Sequence, residues 1–256
     1  MIDGNPEGDL INEFPDIIDI IQLQSLRRKF IKNALLGYLN INHLKNKIVD
    51  LRPIVKDVDF TFLAIAETKL NNTLTSAQFR IENYYCPDEF RRDRTYNSGG
   101  GILIYIKKGV PCKRIRKFET DDIETVVVEV SIGKKKWVVI SLYRNEDVTV
   151  DNFIKELSKS VDSLLNTYDN IIITGDININ TLIKDARGFK KLQSFCDIYD
   201  LKNLVKTATC FKADTPTSLD LILTNNNRSF INTKSVTTGL SDHHTLVMAM
   251  FKSHIV

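Results

Sequence analysis

The sequence lacks the signatures of several large protein classes. No apolar run approaches the length of a membrane-crossing helix. The N-terminus carries Asp3, Glu7 and Asp9 and has none of the charged-then-apolar layout of a secretory signal peptide. Cysteine is sparse. Cys86, Cys112, Cys196 and Cys210 stand far apart, without the close pairs that hold zinc, so a reduced, intracellular setting is expected. There is no P-loop and no Gly-x-Ser-x-Gly elbow, which sets aside nucleoside triphosphate chemistry and a covalent serine route. Internal repeats and low-complexity tracts are missing too. Nor is there a strong excess of charge: 35 Lys and Arg face 32 Asp and Glu, for a formal charge of +3.

What is present is ordinary for a globular chain, with 43% apolar and 26% charged residues among 256. Residues 1 to 30 differ from the rest. A short helix-like pattern at Ile17 to Leu23 ends in Arg27-Arg28-Lys29, so this segment is expected to be an extension or linker, and residues 31 to 256 one domain. From Ala34 the pattern becomes regular. Apolar runs at Ala34–Leu39, Val58–Ala66, Phe79–Tyr85, Ile102–Ile106, Ile123–Ile132, Lys136–Tyr143, Asn170–Thr174, Thr207–Phe211, Leu219–Leu223, Thr233–Thr238 and Thr245–Phe251 predict strands. Helical spacing predicts helices at Leu44–Val55, Val150–Tyr168 and Gly188–Tyr199. Many strands with few, long helices fit two sheets packed together with helices outside.

Several runs end in polar residues suited to one chemistry. Glu67 closes an apolar run and is the best single candidate for a magnesium ligand, with Asn40 and Asn42 able to position the ion or its waters. Asp176 and Asn178 stand two apart, hence on one side of extended backbone, where they can orient a water and a phosphate oxygen together. Asp220, flanked by Leu219 and Leu221, is a carboxylate on an apolar strand and needs a partner. His243, beside Asp242 in the turn Gly239–His244, is the expected one, and Tyr143 is placed to hydrogen-bond a phosphate. Basic residues at Arg91, Arg92, Arg94, Lys113 and Arg114 lie in loops suited to a phosphate backbone. Each feature has a plain structural alternative: an Asx turn at Asp176, a solvated charge at Glu67, a packed tyrosine, a solvated basic face.

Taken in order, Leu39-Asn40-Ile41-Asn42, Ala66-Glu67-Thr68-Lys69-Leu70, Gly99-Gly100-Gly101-Ile102, Gly175-Asp176-Ile177-Asn178, Asp220-Leu221-Ile222-Leu223-Thr224-Asn225 and Leu240-Ser241-Asp242-His243 resemble the endonuclease/exonuclease/phosphatase superfamily. Within it the chain looks most like the apurinic-type endonuclease domain of non-LTR (LINE-type) retrotransposons, over Ala34 to Phe251. The resemblance implies a four-layer α/β sandwich, two mainly antiparallel sheets flanked by helices, with the active site at one end. It implies magnesium, replaceable by manganese, at Glu67 and Asn40. Asp176 and Asn178 would act on the attacking water and the phosphate. Asp220 and His243 would form the acid–imidazole pair, Asp242 would support the metal and phosphate end, and Tyr143 would touch the phosphate. Either Asp176 or His243 is then a defensible general base. Asn145 joins the basic loops as an expected DNA contact. One departure is Arg144-Asn145-Glu146-Asp147, where the family often has a proline-containing turn, and neither His43 nor His244 has an implied role.

The function so implied is nicking of one strand of double-stranded DNA to a 3′-hydroxyl and 5′-phosphate, which primes reverse transcription in a retrotransposon. A reverse transcriptase segment of the parent polyprotein is then a partner, a membrane is not, and the expected location is nuclear. Abasic-site repair, inositol or lipid phosphate hydrolysis, and a non-catalytic DNA-binding module are the rival readings.

Overall fold

A computed structural model describes residues 15–95, 99–120, 122–212, 215–242 and 244–254, the side chains of residues 15–20 excepted. In chain order the elements are α1 (Pro15–Lys29), β1 (Asn33–Asn40), α2 (Ile48–Val58), β2 (Phe62–Ala66), α3 (Pro87–Phe90), β3 (Arg91–Arg92), β4 (Ile102–Ile106), β5 (Cys112–Arg114), β6 (Glu124–Ile132) and β7 (Lys135–Tyr143). There follow α4 (Val150–Leu165), β8 (Ile171–Asp176), α5 (Arg187–Ile198), β9 (Lys202–Asn203), β10 (Asp220–Thr224), β11 (Phe230–Val236) and β12 (Leu246–His254).

The strands make two six-stranded sheets, ordered β11-β12-β1-β2-β4-β3 and β5-β6-β7-β8-β10-β9. The pairs β1–β2 and β7–β8 are parallel and every other pair is antiparallel. Alternation sorts the side chains into three apolar layers. Leu36, Phe62, Val128, Trp137, Ile172 and Phe251 fill the space between the sheets. Leu35, Leu63 and Met248 pack outward against Ile48, Leu51 and Val55 of α2. Ile140, Ile173 and Leu221 pack outward against Phe153, Leu157 and Val161 of α4 and Phe195 of α5. The four-layer sandwich expected from the sequence is the fold observed.

The connections fix where the polar strand ends go. A parallel pair needs a crossover, supplied by α2 between β1 and β2 and by α4 between β7 and β8. All four strands therefore finish at the same end of the sandwich, at Asn40, Ala66, Tyr143 and Asp176. β10 runs antiparallel to β8 and begins at this end, so Asp220 lies directly opposite Asp176. β12 runs antiparallel to β1 and also starts here, just after His244.

Gly175 lets the two catalytic-looking strands approach. A Cβ there would stand 2.2 Å from the Leu142 carbonyl oxygen, a backbone atom of β7. Gly175→Ala is thus expected to force β7 and β8 apart at Asp176 and to cost about 1–3 kcal/mol, as overpacking typically does. Calorimetry should show the melting temperature falling by several degrees, and an unchanged value would refute the close approach.

Two stretches differ from expectation. Phe79–Tyr85 forms no strand; Ser76–Phe79 is a 3-10 turn and Tyr84 makes a single bridge to Lys107. Its apolar residues Phe79, Ile81 and Tyr84 instead pack on the outer face of the first sheet. Thr207–Phe211 likewise contributes only bridges at Cys210. The expected extension carries α1, from which Leu23 enters the outer core and Arg27 donates to Asp59 (3.0 Å) and to the carbonyls of Phe30 (3.0 Å) and Asn33 (3.1 Å). Among the described residues, no helix is long and apolar enough to cross a membrane.

Candidate active site

A cavity of about 440 Å³ opens at the end where these strands finish, lined among others by Asn40, Glu67, Tyr143, Asp176, Asn178 and His244. Asn40 joins the two sheets: its amide nitrogen donates to Glu67 Oε1 (2.8 Å) and to Asp176 Oδ2 (2.9 Å). Tyr38, fully buried between the sheets, accepts the Asp176 N–H at 2.7 Å. The other Asp176 oxygen, Oδ1, accepts from the Asn178 backbone at 2.9 Å. Asp176 is therefore bonded through both carboxylate oxygens and through its own amide.

Asp176 and Asp220 are both buried and stand side by side as register partners. Burial, and next the charge of Asp220, push the Asp176 carboxyl up to about 7. Asp220 spends Oδ2 on His244 Nδ1 at 2.9 Å, while its Oδ1 is buried without a hydrogen-bond partner. Burial pulls the His244 imidazole down, but its bond to Asp220 and the charges of Asp220 and Asp176 outweigh this and raise it. Tyr143 is raised by burial and by Glu67 beside it, so it remains a proton donor near neutrality. The Arg94 guanidinium lies 5.7 Å above its ring.

Among the described residues, the imidazole beside Asp220 is that of His244. His244, to which no role was attached, holds Asp220, and His243 lies outside the described residues. The reason is an anchor in the otherwise irregular Thr207–Phe211 stretch. The Thr209 hydroxyl accepts from the amides of Leu219 and Asp220 (both 3.1 Å), and its carbonyl accepts from the Thr245 amide (2.9 Å). Cys210 bridges His244 directly. One short segment thus ties the acid and the imidazole together.

Asp242 sits beside Asn42, which lines the cavity. It bonds Lys47 Nζ (2.8 Å) and Asn42 Nδ2 (3.0 Å) on an exposed rim, which occupies its carboxylate with a lysine. Lys69, not singled out from the sequence, stands 3.5 Å from Glu67 Oε2 and donates to Asn42 Oδ1.

The arginines of the basic loops are bonded within the chain. Arg91 is bound to Asp93 (2.6 Å) and to the Leu74 and Asn71 carbonyls. Arg92 donates to the Thr125 carbonyl (2.9 Å), Arg94 is paired with Glu124, and Arg114 is paired with Glu119 (2.7 Å) and bonded to the Arg91 carbonyl (2.9 Å). The side chains of Arg91, Arg94 and Arg114 are only 9%, 8% and 7% exposed, so these arginines fasten loops. Lys113 is exposed, and Asn145 lines the cavity while donating to Asp147 (3.1 Å).

Backbone strain gathers at the same place. Asn42, His43, Glu67, Lys69 and Asn178 all have positive φ, between 47° and 87°. For a side chain other than asparagine this costs on the order of 1 kcal/mol or more, and such residues cluster at functional sites.

The donors suit a hard divalent cation. Glu67 and Asp176 bring carboxylate oxygens to one cavity that Asn40 also lines, and Asp220, buried beside Asp176, keeps an Oδ1 without a hydrogen-bond partner. Among the described residues, the ligand atoms of Asp176, Asp220 and His244 lie within 4.8 Å of one another.

Comparison with known proteins agrees with this architecture. The family described as endonuclease-reverse transcriptase matches residues 137–247, the stretch holding Tyr143, Asp176, Asn178, Asp220 and His244. The AP endonuclease LMAP from Leishmania major superposes with a TM-score of 0.73 at 12% identity, over 94% of this chain and 99% of its own. The endonuclease domain of TRAS1, a telomere-specific non-LTR retrotransposon, gives 0.67 at 12% identity over 86% and 98%. The 3′ phosphatase NExo from Neisseria, bound to product DNA hairpin, gives 0.69 at 14% identity over 86% and 99%. No curated protein sequence matches significantly. The fold is the α/β sandwich of these nucleases and phosphatases, and residues 137–247 carry the match to the endonuclease-reverse transcriptase family.

Proposed function

We propose that the chain is a divalent-cation-dependent phosphodiesterase that nicks one strand of double-stranded DNA, leaving a 3′-hydroxyl and a 5′-phosphate. The observation that carries this reading is Asp176, buried and held between Asn40, Tyr38 and Asn178, directly beside an Asp220–His244 pair. A magnesium or manganese ion, held by Glu67 with Asn40 and Asp176 beside it, would neutralise charge on the phosphate and on the leaving oxygen. With a carboxyl raised to about 7, Asp176 is a base matched to neutral pH and takes the proton of the attacking water. Asn178 orients that water and the phosphate. The His244 imidazolium, kept charged by Asp220, offers positive charge to the phosphate oxygens, and Tyr143 donates a hydrogen bond to them.

The wider setting rests on the family match: the new 3′-hydroxyl would prime a reverse transcriptase of the same polyprotein, in the nucleus. Incubating supercoiled plasmid with magnesium, with manganese and with chelator tests the reading. Relaxed circles with a ligatable nick are expected in the first two only. Faster cleavage of an abasic duplex than of intact plasmid would point to repair, and turnover of inositol phosphates alone would overturn DNA as substrate.

The internal bonding of the arginines gives a second expectation. Arg114→Ala should lower the melting temperature by several degrees, because it strips a charge-assisted partner from Glu119 worth about 1.5–3 kcal/mol. The slope of DNA affinity against salt should stay as in the parent, and a slope reduced by about one unit would restore Arg114 as a phosphate contact.

A further inference from the structure

Arg144 directly follows β7, opening the stretch Arg144-Asn145-Glu146-Asp147, and is only 5% exposed. Among the described residues its guanidinium reaches no carboxylate, and its side-chain bonds go to backbone carbonyls. Nε donates to Ile177 O, Nη1 to Val148 O and Nη2 to Asn178 O (2.9 Å). The backbone of the same residue closes the circle. Its N–H donates to Asp176 O (2.9 Å), and its carbonyl accepts from the Asn178 side-chain amide (2.7 Å). The segment Asp176-Ile177-Asn178 is thus gripped at every residue from one neighbour, across the gap between the ends of β7 and β8.

Two facts make this more than loop packing. Asn178 has φ 50°, a conformation the chain keeps only if its surroundings hold it. Its amide nitrogen donates to the Arg144 carbonyl, which fixes the orientation of a side chain that lines the cavity. A planar guanidinium with fixed donors suits this three-way grip, and an ammonium does not.

We propose that Arg144 is a positioning residue for the Asp176–Asn178 segment, acting through its fork of carbonyl bonds; the inference rests on the phosphodiesterase reading of this site.

The test compares Arg144→Gln and Arg144→Lys with the parent, in cleavage of a duplex oligonucleotide with magnesium and in NMR of the Asn178 side-chain amide. Expected in both variants is a kcat lower by about 10–100-fold with KM within twofold, as a small misplacement of catalytic groups produces. The Asn178 amide protons, slow to exchange in the parent, should exchange quickly. Near-parent kcat in Arg144→Lys would overturn the fork in favour of simple charge. A raised KM with unchanged kcat would make Arg144 a substrate contact and overturn the proposal, as would a lowered melting temperature with unchanged kcat. If the parent itself cleaves nothing, the function fails, and the amide exchange still decides the inference: unchanged Asn178 protons in both variants would sink it.

Discussion

His244→Ala is expected to slow DNA nicking by on the order of a thousandfold, within the range for a group that donates charge or a proton in the transition state. Asp220→Asn should cost nearly as much, because the imidazole then loses the partner that keeps it charged and aimed. The double variant should fall little below either single one, since a 2.9 Å pair at a buried site acts as one unit. Single-turnover rates under saturating magnesium make the comparison. Losses that multiply in the double variant would show that the two residues work separately. His243→Ala is the internal control and should stay within a few-fold of the parent; a thousandfold loss there with His244→Ala near normal would restore the histidine that the motif favours.

That choice between neighbouring histidines marks where the sequence stops being legible. The polar ends Asn40, Glu67, Asp176 and Asp220 can be read because each closes or opens an apolar strand, and two parallel crossovers bring such ends to one side. Which imidazole meets Asp220 depends on Thr209, whose hydroxyl and carbonyl hold both segments from a stretch that reads as a plain strand. Tyr38 is hidden for a similar reason: its apolar neighbours suggest core, and its hydroxyl matters only once the second sheet lies over it. The arginines mislead in the opposite direction. A count of charge in loops cannot show that Arg91 and Arg114 are taken up by Asp93, Glu119 and nearby carbonyls. The four-layer arrangement itself needed only alternation and length. Its least readable parts, Phe79–Tyr85 and Thr207–Phe211, carry strand-like residues whose backbone finds no sheet edge to join.

Asp176→Asn is expected to have the largest effect of any single change, at least a thousandfold on the chemical step, because it removes the proposed base without altering shape. The asparagine keeps its oxygen for the Asn178 amide and the backbone bond to Tyr38 is untouched, but its NH2 replaces the oxygen that accepts from Asn40, so that bond is lost. Removal of a buried charge beside Asp220 offsets the loss, and the melting temperature should change little. The pH profile carries the same argument with a sign. The parent rate should drop as pH falls through about 7, where Asp176 takes up its proton, and raising the cation concentration should move that limb lower by favouring the carboxylate. Asp220→Asn should move the acid limb lower as well, because the neighbouring charge that lifts Asp176 is gone. The alkaline limb, set by His244 losing its proton, should fall with it, since the same carboxylate raises that imidazole. The whole bell would shift toward acid in Asp220→Asn. An acid limb that stays fixed there, or an Asp176→Asn variant with more than a tenth of the parent rate, would show that another group takes the proton from water.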